Sequence, residues 1–286
     1  MALPFTIFCQ HKIKRRLMNK KDFFMNKNIL ITGGSSGIGL ALAQKLSSMG
    51  AVIWLVARDE FNLASALDTL PPTSRGGIFS TDVSQVDQVK ALAERWDKKH
   101  TIDILINSAG IAYPGTFENL SLDTFHQLME INYFGTVNII KLLFPYLSTQ
   151  AHIVNIASMA AVLGVYGYSA YGASKYAVRG FTDVLRSELL LSEKKVSLVF
   201  PPDTETPQLA FENQFKPAIT KEIAGNAGAL SAEKVADEII NGIFKKKYII
   251  IPGLESKIIY LAVNLFGRKV YPIMDWMVRS AAKKTN

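Results

Sequence analysis

Cysteine is almost missing from this chain: Cys9 is the only one in 286 residues, which excludes an internal disulfide framework and any CxxC-type zinc site. Histidine is also scarce, and His11, His100, His126 and His152 show no metal-ligand spacing, so no metal centre is expected. Internal repeats and low-complexity tracts are lacking too, which sets aside solenoids and biased linkers. What remains is ordinary globular material. Hydrophobic residues make up 49% and charged residues 20%, in a length that suits one large domain better than two. Few cysteines fit a reducing, cytoplasmic setting.

The net charge of +8 is unevenly spread. Residues 1–27 hold seven basic residues and one acid, and 245–286 hold nine and two, while 28–244 carry sixteen basic against twenty-one acidic. An acidic body argues against nucleic-acid binding, which would put positive charge on its own face. Basic ends beside apolar segments suit an anionic membrane surface. They also serve solubility, and charge alone does not separate the two.

Residues 1–27 read as a basic N-terminal arm or an over-extended start, since Met18 and Met25 both precede the first strand. From Asn28 the pattern is regular. β-Branched apolar runs at Asn28–Thr32, Ala51–Ala57, Gly77–Thr81, Ile102–Ile106, His152–Ala157, Val196–Phe200 and Tyr248–Ile251 alternate with stretches of helical period. Those helices are expected at Ile38–Met49, Glu60–Leu70, Gln85–Lys98, Leu122–Leu147, Ala170–Leu191 and Ala232–Phe244. Buried strands joined by crossover helices predict an α/β, Rossmann-type doubly wound sheet of seven parallel strands over residues 28–252. Residues 201–230, with four prolines and two glycines, interrupt the rhythm and leave from the carboxyl edge of the sheet, as a substrate lid would. Residues 253–286 form a basic, apolar C-terminal extension.

The first strand runs into Thr32-Gly33-Gly34-Ser35-Ser36-Gly37-Ile38-Gly39 and a helix. Glycines allow a tight turn and close approach to a pyrophosphate, which the helix N-terminus stabilises. A dinucleotide cofactor is the better reading of this turn in its strand–helix context. The second strand ends in Arg58. An arginine there suits the 2′-phosphate of NADP(H), where an acidic residue would suit NAD, and Ser35 adds a hydroxyl donor.

Further on, Tyr171 and Lys175 are four residues apart and share one helix face. A nearby ammonium is expected to lower the phenol's pKa towards an acid/base catalyst's range. Ser158 follows the fifth strand and can hydrogen-bond a substrate carbonyl.

Together these motifs make the chain, from Asn28 to about Ile251, resemble the short-chain dehydrogenase/reductase family. The matching residues are the Thr32–Gly39 loop, Asp82-Val83, Asn107-Ser108-Ala109-Gly110, Asn132, Ser158 and Tyr171-Gly172-Ala173-Ser174-Lys175. The resemblance implies that Tyr171 donates the proton in reduction, Ser158 polarises the carbonyl, Lys175 holds the nicotinamide ribose, and Asn132 assists a proton relay. It places Asp82 and Val83 beside the adenine and Asn107, Ala109 and Gly110 behind the cofactor. Pro201 and Thr204, in a Pro-Gly-x-x-x-Thr-like segment where Pro202 replaces the glycine, join those contacts. Within the family, Phe200-Pro201-Pro202-Asp203-Thr204-Glu205-Thr206-Pro207, Val56-Ala57-Arg58, Glu212-Asn213 and Lys216-Pro217 are similar to the branch of 3-ketodihydrosphingosine reductases. That branch implies NADPH-dependent reduction of a long-chain keto lipid at a membrane surface.

Apolar residues fit such a substrate: Met159 to Tyr166 after Ser158, and Leu209, Phe211, Phe215 and Ile219 in the lid. They equally fit ordinary core packing. The runs Ile258–Phe266 and Val270–Val278, with Trp276 and with Arg268 and Lys269 between them, are too short to span a bilayer and suit an interfacial position or an oligomer contact. A homo-oligomer through Leu122–Leu147 and Ala170–Leu191 is what the family implies. The competing functions are reduction of another apolar carbonyl (steroid, retinoid or acyl ketone) and cofactor binding without catalysis. The second predicts loss of Ser158, Tyr171 or Lys175, and all three are present.

Overall fold

In the first strand, Asn28–Thr32, side chains alternate between two apolar layers: Ile29 and Ile31 join one core cluster, Leu30 the other. A strand buried on both faces belongs inside a parallel sheet. The computed structural model of the chain describes residues 19–225 and 228–285. Residues 1–18 of the expected arm, Asn226 and Ala227 of the expected lid, and Asn286 lie outside them.

The strands are β1 (Asn28–Thr32), β2 (Val52–Ala57), β3 (Arg75–Ser80), β4 (Ile102–Asn107), β5 (Leu147–Ile156), β6 (Lys195–Val199), β7 (Thr204–Glu205), β8 (Leu230–Ser231) and β9 (Ile249–Ile250). Seven form one parallel sheet in the order β3-β2-β1-β4-β5-β6-β9, with Ile31 between Leu55 and Ile106. The order reverses at β1, so a crevice opens between the carboxyl ends of β1 and β4, where such sheets bind ligands.

Helices cover both faces. With Ile29 and Ile31 pack α1 (Lys20–Phe24), α2 (Gly37–Ser48), α3 (Glu60–Asp68) and α10 (Ala232–Phe244). With Leu30 pack α4 (Val86–Arg95), α6 (Gly135–Leu143) and α7 (Ser169–Glu188).

Three expectations change. The long helix over Leu122–Leu147 is broken into α5 (Leu122–Met129), a π turn at Glu130–Phe134 and α6, then a 3-10 turn at Phe144–Tyr146. Pro145 has no N–H to continue the helix, and Leu147 already belongs to β5. The expected lid, which showed no clear strand in the sequence, contains the paired β7 and β8 and two helices, α8 (Pro207–Phe215) and α9 (Ala218–Ala224). The folded body also begins before Asn28. α1 is capped by Asn19, whose side chain accepts from the Asp22 N–H at 2.9 Å, and its Phe24 is fully buried. Phe23 meets Phe24 at 4.8 Å and Phe244 of α10 at 5.5 Å, both edge to face.

The C-terminal extension comprises α11 (Leu254–Phe266) and α12 (Tyr271–Thr285). α12 packs along α9, with Lys284 donating to Glu222 at 2.7 Å. α11 is held at its start by Glu238, which accepts from the Gly253 N–H at 2.9 Å and from Lys257 at 2.6 Å.

Burial of Phe24 makes α1 part of the core. Phe24→Ala is expected to cost about 3–5 kcal/mol of unfolding free energy, measured by urea denaturation. A loss within about 0.5 kcal/mol, as at ordinary surface positions, would return the segment to the arm.

Candidate active site

The loop between β1 and α2 is closed tightly. Gly33 has a φ of 65°, and a Cβ added to Gly39 would lie 2.2 Å from the Gly33 carbonyl oxygen, so no side chain fits beneath the turn. The first turn of α2 has N–H groups without intrahelical acceptors. Around it lie two cavities of about 240 Å³ each, which share Gly33 and Gly110 and so form one groove along the carboxyl edge of the sheet. Such a groove, with its exposed helix N-terminus and side-chain-free turn, fits a dinucleotide.

One end of the groove is lined by Gly33, Ser35, Arg58, Asp82, Val83, Ala109 and Gly110. Arg58 is exposed just past β2. The neighbouring Asp59 caps α3, accepting from the Asn62 N–H at 2.7 Å. Asp82 accepts from the N–H and hydroxyl of Ser84 at 3.0 and 2.7 Å.

The other end brings together Ser36, Gly37, Ile38, Ser158, Tyr171, Lys175, Pro201 and Thr204. Three expected residues do not line the groove but sit behind it. Gly39 lies under the loop. Asn107 donates to Asn155 at 2.9 Å within the core. Asn132 occupies the π turn, a distortion often found at functional sites. Its side chain accepts from the Ile111 N–H at 2.8 Å and donates to the Ile111 carbonyl and the Ser174 hydroxyl, both at 2.9 Å. A Cβ on Gly110 would lie 3.0 Å from Asn132 Oδ1 and 3.2 Å from Lys175 Nζ, so Asn132, behind the groove, meets Lys175, which lines it, at Gly110.

The electrostatics differ from the simple expectation that Lys175 lowers the phenol's pKa. Burial raises Tyr171 above the ordinary phenol range, and the charge of Glu212 adds to the rise, while a hydrogen bond with Ser158 opposes it. Lys175 is itself drawn down to about 8 by burial, with Glu212 opposing. Its ammonium donates to the Ile156 carbonyl at 3.1 Å and sits 5.8 Å from the centre of the Tyr171 ring. Desolvation outweighs the neighbouring charge, and the phenol is held in its protonated form.

Around Ser158, Met159, Ala160 and Val165 face the cavity, whereas Ala161 and Val162 are core. Of the expected apolar lid residues, Leu209 lines the cavity. Phe211 and Phe215 instead cluster with Tyr113, the Phe215 ring stacking on it at 5.1 Å. Residues outside the expected site also enter the cavity: Tyr168, Asp203, Gln208 and Glu212. Tyr168 donates to Glu212 Oε2 at 2.7 Å and Gln208 donates to Oε1 at 3.1 Å. Spacing gave no signal for these contacts, because α8 and the turn before α7 are over forty residues apart. A glutamate among Leu209, Phe211 and Phe215 was the available hint.

This glycine-turn groove leading to a Ser–Tyr–Lys cluster matches the family model for short chain dehydrogenases over residues 27–216, and the chain belongs to that family of oxidoreductases. Among curated proteins it is similar to the 3-ketodihydrosphingosine reductase of Bos taurus, 36% identical over 222 residues, covering 74% of this chain and 67% of the relative. It is also similar to the 3-dehydrosphinganine reductase of Danio rerio, 35% identical over 236 residues, covering 78% and 70%. Among solved structures, a short chain dehydrogenase/reductase from Burkholderia phymatum in complex with NAD superposes with a TM-score of 0.74 at 28% identity, covering 88% of this chain and 96% of that one.

Proposed function

We propose that the protein reduces a long-chain keto lipid with NADPH, 3-ketodihydrosphingosine to dihydrosphingosine in the reading that best joins the site to its relatives. The observation that carries it is the single cavity holding Ser158, Tyr171 and Lys175 beside an apolar wall and an acidic lid. A bound NADPH supplies the hydride. Ser158 orients and polarises the carbonyl oxygen. Tyr171, kept protonated by burial and Glu212, gives its proton to that oxygen as the carbonyl carbon gains the hydride. Lys175, drawn down to about 8, is in range to exchange a proton with the site near neutral pH. Asn132 positions the Ile111 backbone and Ser174, and through Ser174 the helix turn that carries Tyr171.

NADPH is favoured over NADH by the Arg58 end of the groove. The guanidinium can take a 2′-phosphate in a bidentate grip; the adjacent Asp59 is engaged in capping α3, and Asp82, in the same end of the groove, is held by Ser84. The C-terminal helices rest on a lipid surface in this reading. Leu261, Leu265, Ile273 and Trp276 are each more than 60% exposed, with Arg268 and Lys269 between the two helices, and exposed apolar clusters of this kind mark interaction sites. No helix among the described residues is long and apolar enough to cross a membrane.

Three measurements test this. With a C18 ketosphingoid and NADPH, the wild type turns over and Tyr171→Phe falls to background while still binding NADPH; turnover confined to steroid, retinoid or simple acyl ketones would overturn the substrate reading. Arg58→Ala should reduce the NADPH-over-NADH preference in kcat/KM by about tenfold or more, the order of one charge-assisted phosphate contact, and an unchanged ratio removes Arg58 from that role. In co-sedimentation, the wild type should bind vesicles rich in phosphatidylserine, and Leu265→Glu with Trp276→Glu should abolish the binding. Wild-type protein left in the supernatant would refute the membrane contact.

A further inference from the structure

α8 carries a carboxylate into the reaction cavity with no cation attached to it. Glu212 is 6% exposed, and its oxygens are held from two sides by neutral donors, the Tyr168 hydroxyl on Oε2 at 2.7 Å and the Gln208 amide on Oε1 at 3.1 Å. Two cations lie nearby, and both are engaged elsewhere. The Lys216 ammonium is paired with Asp203 at 2.9 Å, and Lys175 is bonded to the Ile156 carbonyl behind Tyr171. Among the described residues no ion pair includes Glu212.

An ionised carboxylate is expensive to bury without a positive partner. Anchoring the lid to Tyr168 does not require one, because an amide oxygen accepts the same hydrogen bond. The position matters more. Glu212 shares its cavity with Ser158 and Tyr171, and the ring of its partner Tyr168 is 5.6 Å from the Tyr171 ring. Glu212 is therefore placed beside the Ser158–Tyr171 pair, where it can meet a polar group close to the reacting carbonyl.

We propose that Glu212 receives the ammonium of the substrate, selecting a ketone that carries a protonated amine on the carbon beside the carbonyl. This rests on the keto-lipid reading above and adds to it a residue that chooses among lipids. Tyr168 and Gln208 act as positioning residues that fix the two carboxylate oxygens. In a long-chain 2-amino-3-ketone the ammonium would donate to Glu212 while the carbonyl oxygen meets Ser158 and Tyr171. A deaminated or N-acetylated ketone of the same length would leave Glu212 buried without a cation, held only by Tyr168 and Gln208, and so would forgo the charge-assisted bond that the free amine makes.

The test compares kcat/KM with NADPH for a C18 2-amino-3-ketone, its N-acetyl derivative and the deaminated ketone. Wild type should prefer the free amine over both by about thirtyfold or more, the scale of a hydrogen bond to a charged group. Glu212→Gln keeps an acceptor oxygen for Tyr168, so melting temperature and NADPH affinity report whether the site stays assembled. That variant should collapse the amine preference, chiefly through KM for the amino ketone. Equal wild-type turnover of the three ketones would overturn the proposal, and this outcome needs no variant. So would a Glu212→Gln defect of the same size on all three, the signature of a structural role. Turnover of none of them, with activity on another carbonyl, would instead remove the keto-lipid reading and this inference with it.

Discussion

A buried polar chain along the carboxyl edge of the sheet is the constraint on which the reaction site depends. The Thr32 hydroxyl at the end of β1 accepts from the N–H groups of Ser108 and Ala109, each at 3.1 Å. Asn107 donates to Asn155, and Asn155 donates to Thr182 of α7 at 2.9 Å. These bonds tie β1, β4, β5 and α7 at the level where each strand turns into its loop. Buried networks of this kind are stiff where satisfied and costly where broken, about 1–3 kcal/mol for each group left without a partner, and here the Asn107 Oδ1 has none. The glycine turn, the Asn107–Gly110 segment, Ser158 and Tyr171 hang from its members, so their relative positions are set by the sheet rather than by the loops.

Desolvation then sets the proton chemistry. Lys175 and Glu212 are buried and Tyr171 is half-buried beside them, and each moves towards its neutral form: the phenol up, the ammonium down, the carboxyl up. A neutral phenol is what a proton donor to a developing alkoxide must be. In the proposed reaction, a lysine drawn down to about 8 is suited to return that proton. Charge attraction between lysine and tyrosine, the obvious inference from their four-residue spacing, is not what moves the phenol: burial acts first and Glu212 second, and the lysine nitrogen is bonded to the Ile156 carbonyl.

Much of the fold was legible in the sequence, because parallel strands buried on both faces carry continuous apolar runs. Asn28–Thr32 and Ala232–Phe244 have the bounds their patterns indicate. Failures fall where tertiary contact overrides pattern. The Leu122–Leu147 stretch is periodic throughout, yet a side chain at Asn132 that must reach the Ile111 backbone is accommodated by a π turn, and Pro145 stops α6 soon afterwards. α1 was invisible because a five-residue helix has little periodicity of its own, and it exists through Phe24. At the site, the four-residue spacing of Tyr171 and Lys175 was readable only in combination with the glycine turn and with Ser158 past the fifth strand, the combination that carried the family resemblance. Tyr168 and Glu212 were not, since their meeting is made by the lid's path and no local pattern records it.

That path gives the lid a role beyond cover. The Thr206 hydroxyl caps α8, accepting from the Leu209 N–H at 3.2 Å, and its methyl is so close to Gly37 that an added Cβ there would lie 3.1 Å away. The start of α8 is therefore set by the glycine turn, while its middle is set by Tyr168, one helical turn before Tyr171. A short helix fixed at these two points cannot shift at one without straining the other.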